Sequence, residues 1–158
     1  MKFLIVGFGS IGRRHLRNLV ALGESDIIVL RSGKSTLSVD ELAGLTVEYE
    51  MEKALAHRPD AAIIANPTAL HLGAAIPAAR AGCHLFLEKP ISHSLDGLTE
   101  LRSTLDQGGG QLMVSSQFRF HPGLKKVASL LAESAIGRVV SARAHWGEYL
   151  PNWHPWED

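Results

Sequence analysis

Three glycines, Gly7, Gly9 and Gly12, stand at the spacing G-x-G-x-x-G directly after the apolar run Phe3 to Val6. They lie directly before a stretch in which Ile11, His15, Leu16, Leu19 and Leu22 recur at helical spacing. In a strand–loop–helix context this pattern binds a pyrophosphate: the first glycine permits the tight turn, the second lets backbone approach the phosphates, and the third lets helix and strand pack closely. The helix N-terminus adds unpaired N–H groups and positive potential, with Ser10 and Ile11 at its start. About 20 residues further on, a carboxylate would read the ribose hydroxyl of NAD. Here the sequence is Val29-Leu30-Arg31-Ser32-Gly33-Lys34, with no carboxylate. Arg31, Ser32 and Lys34 offer donors and positive charge to a 2′-phosphate, which favours NADP, with NAD held by backbone groups as the alternative. Arg13, Arg14 and Arg17 read as a solvated helix face.

Two further clusters follow later apolar runs: Asn66-Pro67-Thr68 with His71, and Glu88-Lys89-Pro90. Ligands of an open α/β sheet lie outside the carboxyl ends of its strands. A lysine there can hold a substrate hydroxyl or its alkoxide as hydride leaves the carbon, because a cation stabilises developing negative charge where water is scarce. The alternative is a surface lysine in a proline turn. His15, His57, His84 and His145 have no metal-ligand spacing and read as structural or surface positions, so no metal is expected. His93 reads as capping or exposed.

The elements that must position these residues alternate. Candidate strands are Lys2 to Val6, Asp26 to Leu30, Thr46 to Tyr49, Ala61 to Ala65, His84 to Leu87 and Gln111 to Ser115. Several are continuous apolar runs, as expected of strands covered on both faces. A helix is expected from about Thr68 to Ala81 despite Pro77, with a kink or tightened turn at the proline. Another carries Leu95, Leu98, Leu101 and Leu105, with Ser94 to cap it and Gly108 to end it. The fold class is α/β: a doubly wound parallel sheet of the Rossmann type over residues 1–120. Beyond it, a helix over about Gly123 to Ala132 precedes an alternating segment, Arg138 to Leu150, that reads as a strand. Residues 121–158 are therefore expected to begin a second, α+β domain and to stop short of its body.

Composition narrows the function classes. The chain has 158 residues, 16 Lys plus Arg against 16 Asp plus Glu, and one cysteine, Cys83. Zero formal net charge gives a nucleic-acid or anionic-membrane partner little electrostatic support. A single cysteine excludes an intrachain disulfide and fits a reducing, cytoplasmic location. No apolar run approaches the roughly 18 residues of a membrane span, and Phe3 to Val6 is too short for a secretory leader. All three tryptophans, Trp146, Trp153 and Trp156, fall near the end, as residues meant to pack against something outside the chain.

G-F-G-S-I-G after the first strand, A-N-P-T-A-L-H after the fourth, E-K-P after the fifth and F-R-F-H-P after the sixth occur in that order. Together they resemble the Gfo/Idh/MocA family of NAD(P)-dependent oxidoreductases, which act on sugars, inositols and nucleotide sugars. The resemblance implies that Glu88, Lys89 and Pro90 lie beside the nicotinamide, with Lys89 the catalytic lysine, and it admits a cis Lys89–Pro90 peptide. It implies that Asn66, Pro67, Thr68 and His71 line the cofactor cleft, with Arg119 on the substrate side. Gln117, also expected on that side, departs from the asparagine of many members. The acid/base histidine of such enzymes comes from a helix of the second domain that no segment here matches, and His154 is not assigned that role. The expectation is thus a truncated sugar-type oxidoreductase that binds cofactor. It would form a homo-oligomer where the whole second domain is present. The alternative is a non-catalytic dinucleotide-binding or sensing module.

Overall fold

The computed structural model describes residues 1–33 and 40–147. Six strands, β1 (Phe3–Val6), β2 (Ile27–Leu30), β3 (Thr46–Glu48), β4 (Ala61–Ile64), β5 (His84–Leu87) and β6 (Leu112–Val114), form one sheet. The order is β3-β2-β1-β4-β5-β6 and every pairing is parallel. The chain winds outward in one direction from β1 through β2 to β3, then returns to the other side of β1 for β4. Strand order reverses between β1 and β4, which opens a crevice at their carboxyl ends. The doubly wound α/β architecture read from the sequence is the one observed.

Covering helices explain the continuous apolar runs. Successive strand residues point to opposite faces. Leu4, Val6, Ile28, Leu30, Ala62, Ile64, Leu85 and Leu87 share one buried cluster with Ala54, Ala74, Ala75, Ala78, Ala79, Leu101 and Leu105. Those partners come from α2 (Met51–Ala56), α3 (His71–Arg80) and α4 (Leu98–Gly108). Ile5, Ile27, Val29 and Ile63 point the other way and pack with Phe8 and with Leu16 and Leu19 of α1 (Ser10–Ala21). Both faces are dry, so neither can carry the polar residues of an alternating strand.

Two helix boundaries differ from expectation. The segment from Thr68 divides into a 3-10 turn, Thr68–Leu70, and α3, which begins at His71 and keeps Pro77 inside it. The helix containing Leu101 and Leu105 starts at Leu98, not beside Ser94. The Ser94 hydroxyl accepts from the Asp96 amide at 3.2 Å, closing a local turn, and Gly97 at φ 80° stands at the helix start. A side chain committed to that turn does not cap the helix.

The chain divides into two compact units, Met1–Ser116 and Gln117–Asp158. In the second, a 3-10 turn (Gln117–Phe120) precedes α5 (Pro122–Ala132), where His121 Nδ1 accepts from the Gly123 amide at 3.2 Å. The strand expected over Arg138 to Leu150 does not form across residues 138–147, which are exposed and carry no regular structure. Alternation supplies a face but not a partner strand, and an unpaired strand leaves its amides and carbonyls to water. Trp146 packs edge-on against Phe118, with centroids 5.1 Å apart. Trp153, Trp156 and residues 148–150 of the expected strand lie outside the described residues.

Candidate functional site

Parallel register lines up the strand exits. Val6 pairs with both Leu30 and Ile64, and Ile64 with Leu87. The next residue of each strand continues the ladder: Gly7 donates to Leu30 O, Ala65 to Val6 O, Glu88 to Ile64 O and Arg31 to Glu48 O, at 2.8–3.0 Å. Gly7, Arg31, Ala65 and Glu88 thus leave the sheet in one row at its carboxyl edge. The glycine loop, Arg31, the Asn66 turn and the Glu-Lys-Pro turn all begin there.

The three glycines differ in what holds them. A Cβ on Gly7 would lie 2.6 Å from the Asn66 amide nitrogen, and φ there is +93°. A Cβ on Gly12 would lie 2.0 Å from the Gly7 carbonyl oxygen, so α1 can approach the loop only through a glycine. A Cβ on Gly9 would meet nothing within 4 Å, and its φ of −83° is open to any residue. The protein's own packing therefore accounts for Gly7 and Gly12 but not for Gly9, which borders the open space a phosphate would enter. Gly9 is also the N-cap of α1, without a side-chain cap and with no acidic residue in the first turn. The first ladder bond, Arg13 amide to Gly9 carbonyl at 3.0 Å, leaves the amides of Ser10, Ile11 and Gly12 ahead of it. Ser10 and Ile11 are exposed at this end.

Two buried polar atoms at this edge have no partner. Arg31 is 9% exposed, its Nε makes no hydrogen bond, and no carboxylate among the described residues pairs with it. A buried cation without a counter-charge is costly, and an anionic ligand would relieve it. Ser32 beside it is exposed, and Lys34 lies outside the described residues. Asn66 donates from Nδ2 to Leu70 O at 3.1 Å, whereas its Oδ1 is buried and accepts nothing. An uncapped helix end, an open glycine, a free amide oxygen and a buried guanidinium without a counter-charge among the described residues fit a dinucleotide.

Lys89 is exposed, and among the described residues no hydrogen bond or ion pair engages its ammonium group. Its flanks are held. The Glu88 carboxylate receives a hydrogen bond from His15 of α1, with Nε2 and Oε1 2.9 Å apart. The His15 ring also meets Phe86 edge-on at 5.3 Å. Pro90, joined to Lys89 through a cis peptide, places its carbonyl 2.9 Å from His71 Nδ1. His71 Nε2 lies 2.9 Å from the Asn66 carbonyl. His71 is buried, at 1% exposure, with both ring nitrogens facing backbone carbonyls. Pro67 is exposed and Thr68 half-buried at the start of the 3-10 turn. Gln117 and Arg119 are exposed residues of the second unit.

Sequence reasoning left His15 as a structural or surface position without its bond to Glu88, and it misread Arg13. Arg13 is 7% exposed rather than solvated: its guanidinium stacks 4.8 Å over Phe8 of the glycine loop and approaches Glu41 at 3.5 Å. Glu41 also receives Arg17 at 2.5 Å, and that bond holds its carboxyl below the usual carboxylate range. Among the described residues no three His, Cys, Asp or Glu side chains form a metal-binding group, and no helix is long and apolar enough to cross a membrane.

Fold and crevice together define a dinucleotide-binding domain of the Rossmann type. Residues 1–116 match the Gfo/Idh/MocA family model, an oxidoreductase family with an NAD-binding Rossmann fold. The chain belongs to that family. It is 34% identical to the uncharacterized oxidoreductase YrbE of Bacillus subtilis, over 84% of this chain and 40% of the relative. It is 31% identical to D-xylose 1-dehydrogenase (NADP(+)) 2 of Haloferax volcanii, over 96% and 48% of the respective lengths. Among solved structures it is similar to the WlbA dehydrogenase of Bordetella pertussis in complex with NADH and UDP-GlcNAcA. That likeness has a TM-score of 0.78 at 27% identity, covering 87% of this chain and 43% of the other. The chain spans about half or less of the length of the curated relatives it matches.

Proposed function

We propose that this chain is the cofactor-binding part of an NAD(P)-dependent oxidoreductase that interconverts a hydroxyl and a carbonyl on a sugar-type small molecule. The observation that carries it is Lys89: an exposed ammonium group, without a partner among the described residues, in a turn held on both sides, on the sheet edge that bears the glycine loop. In this reading the α1 amides bind the pyrophosphate and Asn66 Oδ1 accepts a cofactor N–H or O–H. Arg31 and Ser32 receive the adenosine ribose, where the unpaired guanidinium favours the 2′-phosphate of NADP over the bare hydroxyl of NAD. Thr68, Pro67, Glu88 and Pro90 border the nicotinamide half. When bound, the nicotinamide supplies the hydride acceptor or donor. Lys89 Nζ donates a hydrogen bond to the substrate oxygen and stabilises the negative charge that gathers there as the C–H bond breaks. Gln117 and Arg119 are the substrate-side candidates. A substrate of the sugar or nucleotide-sugar class is supported by the D-xylose 1-dehydrogenase relative and by the similar dehydrogenase structure in complex with UDP-GlcNAcA. The location we assign is the cytoplasm, in keeping with one buried free thiol.

Thermal unfolding in the presence of cofactor tests this. A ligand at 100 times its dissociation constant stabilises a fold by about 2.7 kcal/mol, so NADPH should raise Tm by several degrees. Arg31→Ala should reduce the NADPH shift and leave the NADH shift in place, without lowering the Tm of the free protein. No shift with either dinucleotide at millimolar concentration would sink the reading, and equal responses to Arg31→Ala would remove the NADP preference.

A further inference from the structure

We propose that His15 and His71 are positioning residues that clamp the Lys89 turn from its two sides, so that the lysine is presented from a fixed backbone. The inference rests on the reading of Lys89 above.

Lys89 sits between two anchored neighbours. Glu88, on its N-terminal side, is tied by its side chain to α1 through His15. A carboxylate can only accept, so His15 carries its proton on Nε2 in this bond. Both side chains are largely withdrawn from water, at 14% and 16% exposure, which strengthens the contact over a surface pair. Edge-on packing against Phe86 fixes the imidazole plane, and Phe86 lies two residues before Glu88. Pro90, on the C-terminal side, is tied by its carbonyl to His71, whose other nitrogen reaches the Asn66 carbonyl. Both facing groups are carbonyls and only accept, so the clamp places the His71 proton on Nδ1, the nitrogen that faces Pro90. The turn after β5 is thus gripped from α1, which carries the candidate phosphate site, and from the start of α3, beside the Asn66 turn.

The arrangement has a mechanical consequence. A lysine has four rotatable side-chain bonds, and a mobile backbone beneath it would add to the spread of Nζ. Holding residues 88 and 90 removes that backbone freedom, the kind of support that keeps a reacting group within a fraction of an ångström. His15 also links the glycine-loop helix to the Glu-Lys-Pro turn, so phosphates seated on α1 and the nicotinamide half beside Glu88 register with each other.

His15→Phe keeps the ring against Phe86 and removes only the donor. In the free protein, hydrogen exchange at the Glu88 amide, which donates to Ile64 O at 3.0 Å, should quicken in His15→Phe and in His71→Gln, while exchange in β1 and β4 stays as in wild type. His15→Gln, which restores an N–H donor, should return protection. In binding, His15→Phe should weaken NADPH by about tenfold, the worth of one partly buried hydrogen bond, and leave ADP within about twofold. Unchanged exchange at the Glu88 amide in both variants would overturn the clamp, as would equal losses for ADP and NADPH. If wild type binds neither dinucleotide, the functional reading fails while the exchange experiment still decides the clamp.

Discussion

Gly9 and Gly12 carry the same residue type for different reasons, and substitution separates them. Gly12→Ala drives a Cβ to 2.0 Å from the Gly7 carbonyl, so helix and loop must part. The expected cost is about 3 kcal/mol or more, read by denaturant unfolding, since backbone cannot yield as a flexible side chain does. Gly9→Ala meets open space and an unstrained φ, so stability should hold within about 0.5 kcal/mol. The methyl group would instead stand where phosphate must approach backbone, and dinucleotide affinity should fall by about tenfold or more by calorimetric titration. Equal stability in the two variants would remove the packing explanation. Arg31 presents the complementary case: it is buried, and its Nε has no hydrogen-bond partner.

At the scale of elements, α3 shows how small residues bring a helix onto a sheet. Ala74, Ala75, Ala78 and Ala79 are all buried, and the close approach lets Leu101 and Leu105 of α4 complete the same layer. Cys83 ends this passage from α3 into β5, fully buried, with its thiol donating to Pro59 O at 3.2 Å. Burial, with the Asp60 carboxylate adding to it, holds the thiol pKa above its ordinary value of 9.0. The folded state therefore binds this proton more tightly than the unfolded state. Its stabilising contribution is whole below pH 9 and declines as pH rises through the folded value. The slope is at most about 1.4 kcal/mol per pH unit. Unfolding measured from pH 7 upward should fall more steeply for wild type than for Cys83→Ala; parallel curves would contradict the assignment. Alkylation of the folded protein should be slow for the same reason.

At the scale of the whole molecule, the two units differ in how their backbone is secured. In Met1–Ser116 the six-stranded ladder and two apolar clusters lock most of the chain. Past α5, residues 138–147 are exposed and unladdered, with Arg138 and Arg143 open to a protease. Brief trypsin treatment should therefore cut at these arginines before any site in β1 to β5, as mass spectrometry would show. The core retaining Met1–Ser116 should keep its response to NADPH. Early cleavage at Arg31 or Arg80 would contradict this order of stability.

The glycine loop, the parallel sheet and the covered strands were legible in the sequence because each is written within a few neighbouring residues. Apolar runs without alternation require two covered faces, and G-F-G-S-I-G between strand and helix requires a backbone that approaches closely. Legible too were the turns bearing Asn66 and Lys89, since each follows directly from a strand end. Tertiary structure alone decided what grips those turns. His15 and Glu88 lie 73 positions apart and His71 and Pro90 lie 19 apart. Such pairs meet only because β1, β4 and β5 stand side by side in register. The same holds for Arg13, which its helical position assigned to solvent and which Phe8 and Glu41 bury. A strand after α5 was written in the alternation, yet residues 138–147 form none. A single chain segment encodes which face it would bury, whereas hydrogen-bonded pairing depends on a second segment that local pattern cannot specify.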